Sequence, residues 1–260
     1  MRTNQAHSAR VYDYMLGGKD NFAADRKVAE EVIAVAPYLP ISVRANRNFM
    51  VRAARYLATE QGIDQFLDIG TGLPTSPNLH EVVQEVNPEA RIVYIDNDPI
   101  VLQHARALLV GTPTGKTAYI DADIRDPHGI LGAEAIHDTL DFSKPVALCL
   151  IAILHFIADE NEAHEIVRRL LEPLAPGSAL AMSTIAIDRA PEKVKSAVAA
   201  FNQRGIPSKT RTKAEVERFF DGLELVPPGV TQVHRWHPDA EARAIKDTDV
   251  SMHGGIAIKR

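Results

Sequence analysis

Three acidic residues and two glycines, placed at the ends of successive apolar runs, carry the clearest chemical signal in the chain. The run Phe66-Leu67-Asp68-Ile69 leads directly into Gly70-Thr71-Gly72. The backbone can turn tightly there and admit a ligand with no Cβ in the way. Asp96 closes the next apolar run, where a carboxylate can accept hydrogen bonds from both hydroxyls of a ribose. Asp123 follows the third run in Tyr119-Ile120-Asp121-Ala122-Asp123-Ile124, placed to accept from an adenine amino group. Ala152 to Phe156 follow the fourth run, Val146–Ile151. In open α/β sheets, ligands bind at the carboxyl ends of neighbouring strands, and all four segments belong there.

Two nucleotide cofactors compete for such a site. A dinucleotide pyrophosphate calls for a third glycine that brings a helix N-terminus close. That position is Thr75, and Pro74 and Pro77 stiffen the turn around it. S-adenosylmethionine has no phosphate and does not need the close helix. Its ammonium does favour a nearby carboxylate, and Asp68 lies just before the first glycine. The residues favour S-adenosylmethionine over a nicotinamide dinucleotide, with an oxidoreductase kept as the alternative.

Placing these side chains together takes a set of short strands. Apolar runs at Gln65–Ile69, Arg91–Ile95, Thr117–Ile120, Val146–Ile151 and Ala179–Ser183 are bounded by Gly, Pro or Asp, the pattern of buried parallel strands. Amphipathic segments lie between them, as in Ala163, Ile166, Val167, Leu170, Leu171 and Leu174, which share one helical face. Ser76-Pro77, Asp98-Pro99 and Asp126-Pro127 each set a capping side chain before a proline suited to the first helical position. Thr212-Lys213-Ala214-Glu215 fits a capping box. Asp98 and Asp126 are read as caps only, and Asp121 as the end of a strand. The alternation predicts an α/β fold with a mostly parallel sheet covered on both faces. Stretches around Leu223–Val226 and at Ile256–Ile258 predict an antiparallel hairpin at its edge. Residues 1–62 carry helical patterns at Phe22–Ala36 and Val43–Gln61. They read as a helical cap packed on a 63–260 core, having too few large apolar residues for a core of their own.

Composition narrows the function classes. The 260 residues include 29 Lys and Arg against 34 Asp and Glu, a formal charge of −5. That balance argues against gripping nucleic acid. The arginines of one helical pattern, Arg44, Arg47, Arg52 and Arg55, read as a solvated face. No apolar stretch approaches the roughly 20 residues needed to cross a bilayer. The single cysteine, Cys149, lies inside an apolar run and reads as a buried thiol in a reducing compartment. A cytoplasmic protein acting on a small molecule, with no nucleic acid, membrane or metal partner, is the expectation. His234-Arg235-Trp236-His237 has metal-like spacing but no further ligand nearby in the sequence.

Together, Asp68-Ile69-Gly70-Thr71-Gly72, Asp96, Asp121-Ala122-Asp123 and Leu174-Ala175-Pro176-Gly177 resemble the successive motifs of class I S-adenosylmethionine-dependent methyltransferases. More narrowly, nearly the whole chain resembles an actinobacterial family of S-adenosyl methyltransferases once catalogued as a domain of unknown function. Its opening signature is matched by Ala9-Arg10-Val11-Tyr12-Asp13-Tyr14-Met15-Leu16-Gly17-Gly18-Lys19-Asp20-Asn21-Phe22, joined by Arg44-Ala45-Asn46-Arg47 and Leu154-His155-Phe156. The resemblance implies a Rossmann-like, seven-stranded methyltransferase sheet with the last strand antiparallel. It implies Asp96 as the ribose ligand, Gly70 and Gly72 as the methionine-side turn, Asp123 with Ile124 as adenine contacts, and Asp68 as the acid of the first motif. Thr71, Asn97, Ile151 and Ala152 flank these positions and are counted in the same cofactor-binding set. It implies no acceptor.

Methyl transfer demands alignment and desolvation, and sometimes a base for the nucleophile. His155, after the fourth strand, is the first candidate for a base or substrate-orienting group, and Tyr14 in the opening segment is the second. Arg47 or Lys19 could pair with the methionine carboxylate. An opening segment folded over the crevice, hinged at Gly17-Gly18, could exclude water. A non-catalytic S-adenosylmethionine-binding module that regulates a partner is the alternative from another class. A crevice closed beyond the sulfonium would favour it.

Overall fold

The computed structural model describes residues 3–108 and 111–260. Three helices come first: α1 (Ser8–Leu16), α2 (Ala23–Val35) and α3 (Leu39–Thr59). Strands and helices then alternate as β1 (Gln65–Ile69), α4 (Leu79–Val86), β2 (Arg91–Asp96), α5 (Pro99–Leu108) and β3 (Lys116–Asp121). Two short helices, α6 (Pro127–Leu131) and α7 (Glu134–Thr139), lead to β4 (Ala147–Ile151), α8 (Glu160–Leu171), β5 (Ala179–Ile185) and α9 (Pro191–Gln203). The five apolar runs thus become β1 to β5, and they pair in parallel in the order β3-β2-β1-β4-β5.

Burial on both faces explains why these strands read as continuous apolar runs. On one face Phe66, Ile92 and Tyr94 pack with Phe49, Ala53 and Leu57 of α3 and with Leu79 and Val83 of α4. On the other, Leu67, Val93, Ile95, Leu148 and Leu150 meet Ile166, Val167 and Leu170 of α8. Helix α3 is therefore part of the main core. Helices α1 and α2 close a smaller cluster, in which Val11, Met15, Val28 and Val32 meet Ala197 of α9 and Ile206 just beyond that helix.

The chain ends with α10 (Lys213–Glu217), β6 (Glu224–Leu225), β7 (Thr231–Gln232), α11 (Ala240–Ala244) and β8 (Met252–Ile258). Strand β8 runs antiparallel to β5 and takes both β6 and β7 on its other side, also antiparallel. Among the described residues the sheet has eight strands, not seven. The extra strand is the two-residue Thr231–Gln232, too short and polar to leave an alternating pattern. Within β8, a Cβ on Gly254 would lie 2.9 Å from the Phe49 ring and 3.0 Å from the Met182 carbonyl oxygen. Glycine there lets α3 press against the sheet.

Local signals behaved unevenly. Asp126 caps α6 through the Gly129 N–H at 2.9 Å, and Thr212 with Glu215 closes the capping box of α10. Helix α4 instead starts at Leu79, where Asn78 donates its N–H to Glu81 Oε2 at 2.6 Å, so Ser76-Pro77 precedes the helix. The arginines of α3 do not share one solvated face. Arg44 is exposed, Arg47 turns inward, Arg52 donates to the carbonyls of Val233 and Trp236, and Arg55 pairs with Glu85. Cys149 is buried in β4, and His234 pairs with Asp247 at 3.0 Å. No helix of the described residues is long and apolar enough to cross a membrane.

Candidate functional site

Strands β1 and β2 are direct neighbours, so the Gly70–Gly72 bend and the Asp96 carboxylate meet at adjacent tips. Gly70 and Gly72 both sit at positive φ, +80° and +68°, a region that L side chains enter only at a cost. The Gly70 N–H donates to the Ile95 carbonyl at 2.8 Å. A Cβ on Gly70 would lie 2.7 Å from Ile153, while the same position on Gly72 opens onto empty space. Gly72 N–H donates to Asp96 Oδ2 and Asp98 N–H to Asp96 Oδ1, each at 2.9 Å. Asp96 is thus fixed by two backbone donors. Burial pushes its carboxyl above the ordinary range, and these two N–H groups partly offset that.

A cavity of about 720 Å³ opens above these tips. On the β2–β3 side it is lined by Asn97, Asp123 and Ile124. Asn97 Nδ2 donates to Asp123 Oδ2 at 3.1 Å, and the Arg125 N–H reaches Asp123 Oδ1 at 2.9 Å. Burial alone would raise the Asp123 carboxyl. Its hydrogen bonds and the Arg125 charge outweigh that and hold it below the usual carboxylate range. At the tip of β4, Ile151 and Ala152 join the wall, with Ala152 at φ +56°. Such a conformation costs a non-glycine residue about 1–2 kcal/mol. Ala152 is held there by an N–H bond to Ser183 Oγ at 3.0 Å. Ser183 Oγ in turn donates to Asn46 Oδ1 at 2.6 Å, Asn46 Nδ2 to the Tyr12 hydroxyl at 3.0 Å, and that hydroxyl to the Val43 carbonyl at 3.1 Å.

Asp68 and Arg47 face the same space from β1 and α3. Burial pushes the Asp68 carboxyl up to about 7, with the Arg47 charge pulling against it and the Asp96 charge adding to it. The Arg47 guanidinium donates to the carbonyls of Thr75 and Pro77, while its Nε has no partner among the described residues. Burial lowers its pKa.

Helix α1 closes the cavity from above. Arg10, 3% exposed, donates from Nε to Asp25 Oδ2 at 3.0 Å, from Nη1 to Asp98 Oδ2 at 3.2 Å, and from Nη2 to the Gln5 carbonyl at 2.7 Å. His7 Nδ1 lies 3.3 Å from Asp98 Oδ2. Asp98, read from the sequence as a cap only, both accepts from the Ile100 N–H at 3.0 Å and anchors α1 over Asp96. Asp121 ends β3 and is exposed.

A family model described as S-adenosyl methyltransferase matches residues 1–260. The chain belongs to this S-adenosyl methyltransferase family. A DUF574 family protein from Streptomyces avermitilis is 54% identical, covers 100% of this chain and 99% of its own, and superposes with a TM-score of 0.97. A protein of Thermobifida fusca classed as a methyltransferase is 40% identical, covers 98% and 96%, and gives 0.91. The plantazolicin methyltransferase BpumL, in a complex with SAH, is 14% identical over 97% of this chain and 95% of its own with a TM-score of 0.54, a likeness of fold alone. No curated protein matches the chain.

Within this member of the family, three sequence-derived candidates stand away from the cavity. Tyr14 points outward, its hydroxyl donating to Glu30 at 3.0 Å, and Lys19 is exposed on the turn after α1. Neither lines the cavity: the inward face of α1 carries Tyr12, Asp13 and Leu16, and Lys19 lies beyond the end of the helix. His155 is buried behind the wall, in the helical turn Leu154–Phe156. Burial, with the Arg211 charge, drives its pKa down to about 3, so the ring is neutral. Arg47 does line the cavity, together with Asp68, Gly70, Thr71, Gly72, Asp96, Asn97, Asp123, Ile124, Ile151 and Ala152. Sequence reasoning missed Asn46, Ser183 and Arg211. Arg211 is fully buried and donates to the Leu154 and Ile157 carbonyls at 2.9 and 3.1 Å. Asn46 lies inside α3 and Ser183 inside β5, whose patterns speak only of packing, and Arg211 lies in the stretch between α9 and α10, bridged to Ala186.

Proposed function

We propose that the cavity binds S-adenosylmethionine and that the protein moves its methyl group to a small-molecule acceptor. The observation that carries this reading is the 2.9 Å bond joining the Gly72 N–H to Asp96 at the mouth of a single cavity. The residues fit the cofactor. Each Asp96 oxygen accepts one backbone N–H, which leaves lone pairs for ribose hydroxyls, and the open space beside Gly72 is where a ligand can approach the backbone. Asp123 and Ile124 would hold the adenine, with Asp68 facing the ammonium and Arg47 the carboxylate of the methionine part. When bound, the cofactor supplies a methyl carbon made electrophilic by the sulfonium charge, to which an acceptor lone pair bonds as the carbon–sulfur pair stays with sulfur. The chain's own contribution is to align, desolvate and enclose.

His155 lies outside the cavity lining, and burial makes its ring a weak proton acceptor, so this reading assigns it no role as the base and lets an acceptor proton leave to solvent. The SAH bound to BpumL supports the same ligand class on a shared fold. The wall continues past the β4 tip to Ile153, Phe156 and Ile206, room that favours an enzyme over a closed regulatory module. Against a dinucleotide, the N-terminus of α4 is already occupied by the Glu81 carboxylate, which would repel a pyrophosphate.

Calorimetry tests the reading. S-adenosylmethionine and S-adenosylhomocysteine should bind at micromolar concentrations and NADH should not. Protein that ignores both adenosyl ligands at millimolar concentration overturns it.

A further inference from the structure

One end of the cavity differs in character from the rest. On the β4 side of the glycine bend its walls are Tyr12 and Leu16 from α1, Ile153 and Phe156 after β4, and Ile206 and Pro207 after α9. Tyr12, Leu16 and Phe156 pack, partly buried, against the same apolar cluster that contains Ile206. Tyr12, Leu16, Ile153 and Phe156 remain half-buried, leaving part of their apolar surface uncovered.

The polar groups near this bay are already committed. The Tyr12 hydroxyl donates to the Val43 carbonyl and accepts from Asn46. Asp13 also borders the cavity, but its Oδ2 takes the Asp20 N–H at 3.1 Å and Asn21 Nδ2 at 2.8 Å, tying it to the loop after α1. The Arg10 and Arg125 charges face Asp25, Asp98 and Asp123. The walls are also preset: the Phe156 carbonyl accepts from Arg125 Nη2 at 3.0 Å, and the Ile206 N–H bonds the Phe201 carbonyl at 3.1 Å. A preset, largely apolar pocket whose nearest carboxylate, Asp13, is engaged in hydrogen bonds gains most from covering apolar area, roughly 25 cal/mol per Å².

From this we infer that the methyl acceptor is an uncharged, largely apolar ring compound, its ring against Leu16, Phe156 and Ile206 and its nucleophilic atom turned to the glycine bend. The inference rests on the methyltransferase reading above and adds the substrate class to it.

Calorimetric titration of protein saturated with S-adenosylhomocysteine tests it, using 2-naphthol as the apolar ring and serine and glucose 6-phosphate as polar probes. 2-Naphthol should bind at least tenfold more tightly than either polar probe. Leu16→Asn, on the half-buried face of α1, and Ile206→Asn should each weaken 2-naphthol at least tenfold. Both should keep S-adenosylhomocysteine affinity within twofold, which also reports that they fold. Polar probes binding as well as 2-naphthol, no binding of 2-naphthol, or variants that leave its affinity unchanged would each overturn the inference while the cofactor reading stands. Wild-type protein that fails to bind S-adenosylhomocysteine overturns both.

Discussion

Replacing Asp96 with alanine removes the group on which the cofactor reading turns. The carboxylate is 7% exposed, and each oxygen is already held by one backbone N–H at 2.9 Å. Two hydrogen bonds to ribose hydroxyls remain available, and a bond to a charged group contributes about 1.5–3 kcal/mol. Taking the lower figure for both gives a loss of about 3 kcal/mol, or somewhat more than a hundredfold in dissociation constant. The Gly72 N–H would also lose its acceptor, so the bend itself would loosen. Asp96→Asn is a sharper probe. It keeps the shape but offers an NH₂ where one of two fixed N–H donors needs an acceptor, and it should weaken binding nearly as much. S-adenosylhomocysteine calorimetry, with circular dichroism and thermal melts to confirm folding, reads the effect. A folded Asp96→Ala protein whose affinity lies within threefold of wild type would refute the reasoning.

Other perturbations follow from the same geometry. Because burial raises the Asp68 carboxyl from its ordinary value to about 7, the folded state holds a proton that the unfolded state gives up near pH 4. Its contribution to stability is therefore greatest at low pH and falls between roughly pH 4 and 7. Binding a ligand ammonium favours the ionised form, so S-adenosylhomocysteine affinity should rise with pH up to about 7. Asp68→Asn should flatten both profiles, and a wild-type affinity that falls over that interval would contradict this. Gly70→Ala, which combines positive φ with contact against Ile153, should cost roughly 2–4 kcal/mol in denaturant titrations. Gly72→Ala, with open space at its Cβ, should cost only about 1–2 kcal/mol; the reverse order would be inconsistent with the bend described. Arg10→Met leaves Asp25 and Asp98 buried without their cation and should destabilise by about 3–5 kcal/mol, which urea unfolding measures. His155→Gln should leave the pH dependence of methyl transfer between pH 6 and 9 in place, since the ring is already neutral; a lost inflection would restore it as a base.

The parallel half of the sheet was legible because burial on both faces writes itself as short continuous runs, and β1 begins and ends where its run does. Strand β7 was not, since two polar residues carry no period. The start of α4 was misplaced for a related reason. Ser-Pro and Asn-x-x-Glu both resemble helix starts, and only the Glu81 bond back to Asn78 decides between them. Around the site, the meeting of Gly70, Gly72, Asp96 and Asp123 on one cavity could be read from residue type and strand position alone. Tyr14 could not be placed, because which face of the nine-residue α1 turns inward depends on packing against α2 and α3, and Lys19 falls on the turn beyond the helix. Asp98 shows the limit most plainly. Its local role as a cap is real, yet its second oxygen is engaged by Arg10, 88 positions away in the chain.

That short first helix contributes to both ends of one cavity: Arg10 on the side of Asp98, Tyr12 and Leu16 at the apolar bay. Under the proposed function, donor and acceptor would rest against the same nine-residue wall, and the two carboxylates that grip Arg10 would hold that wall in place for both at once.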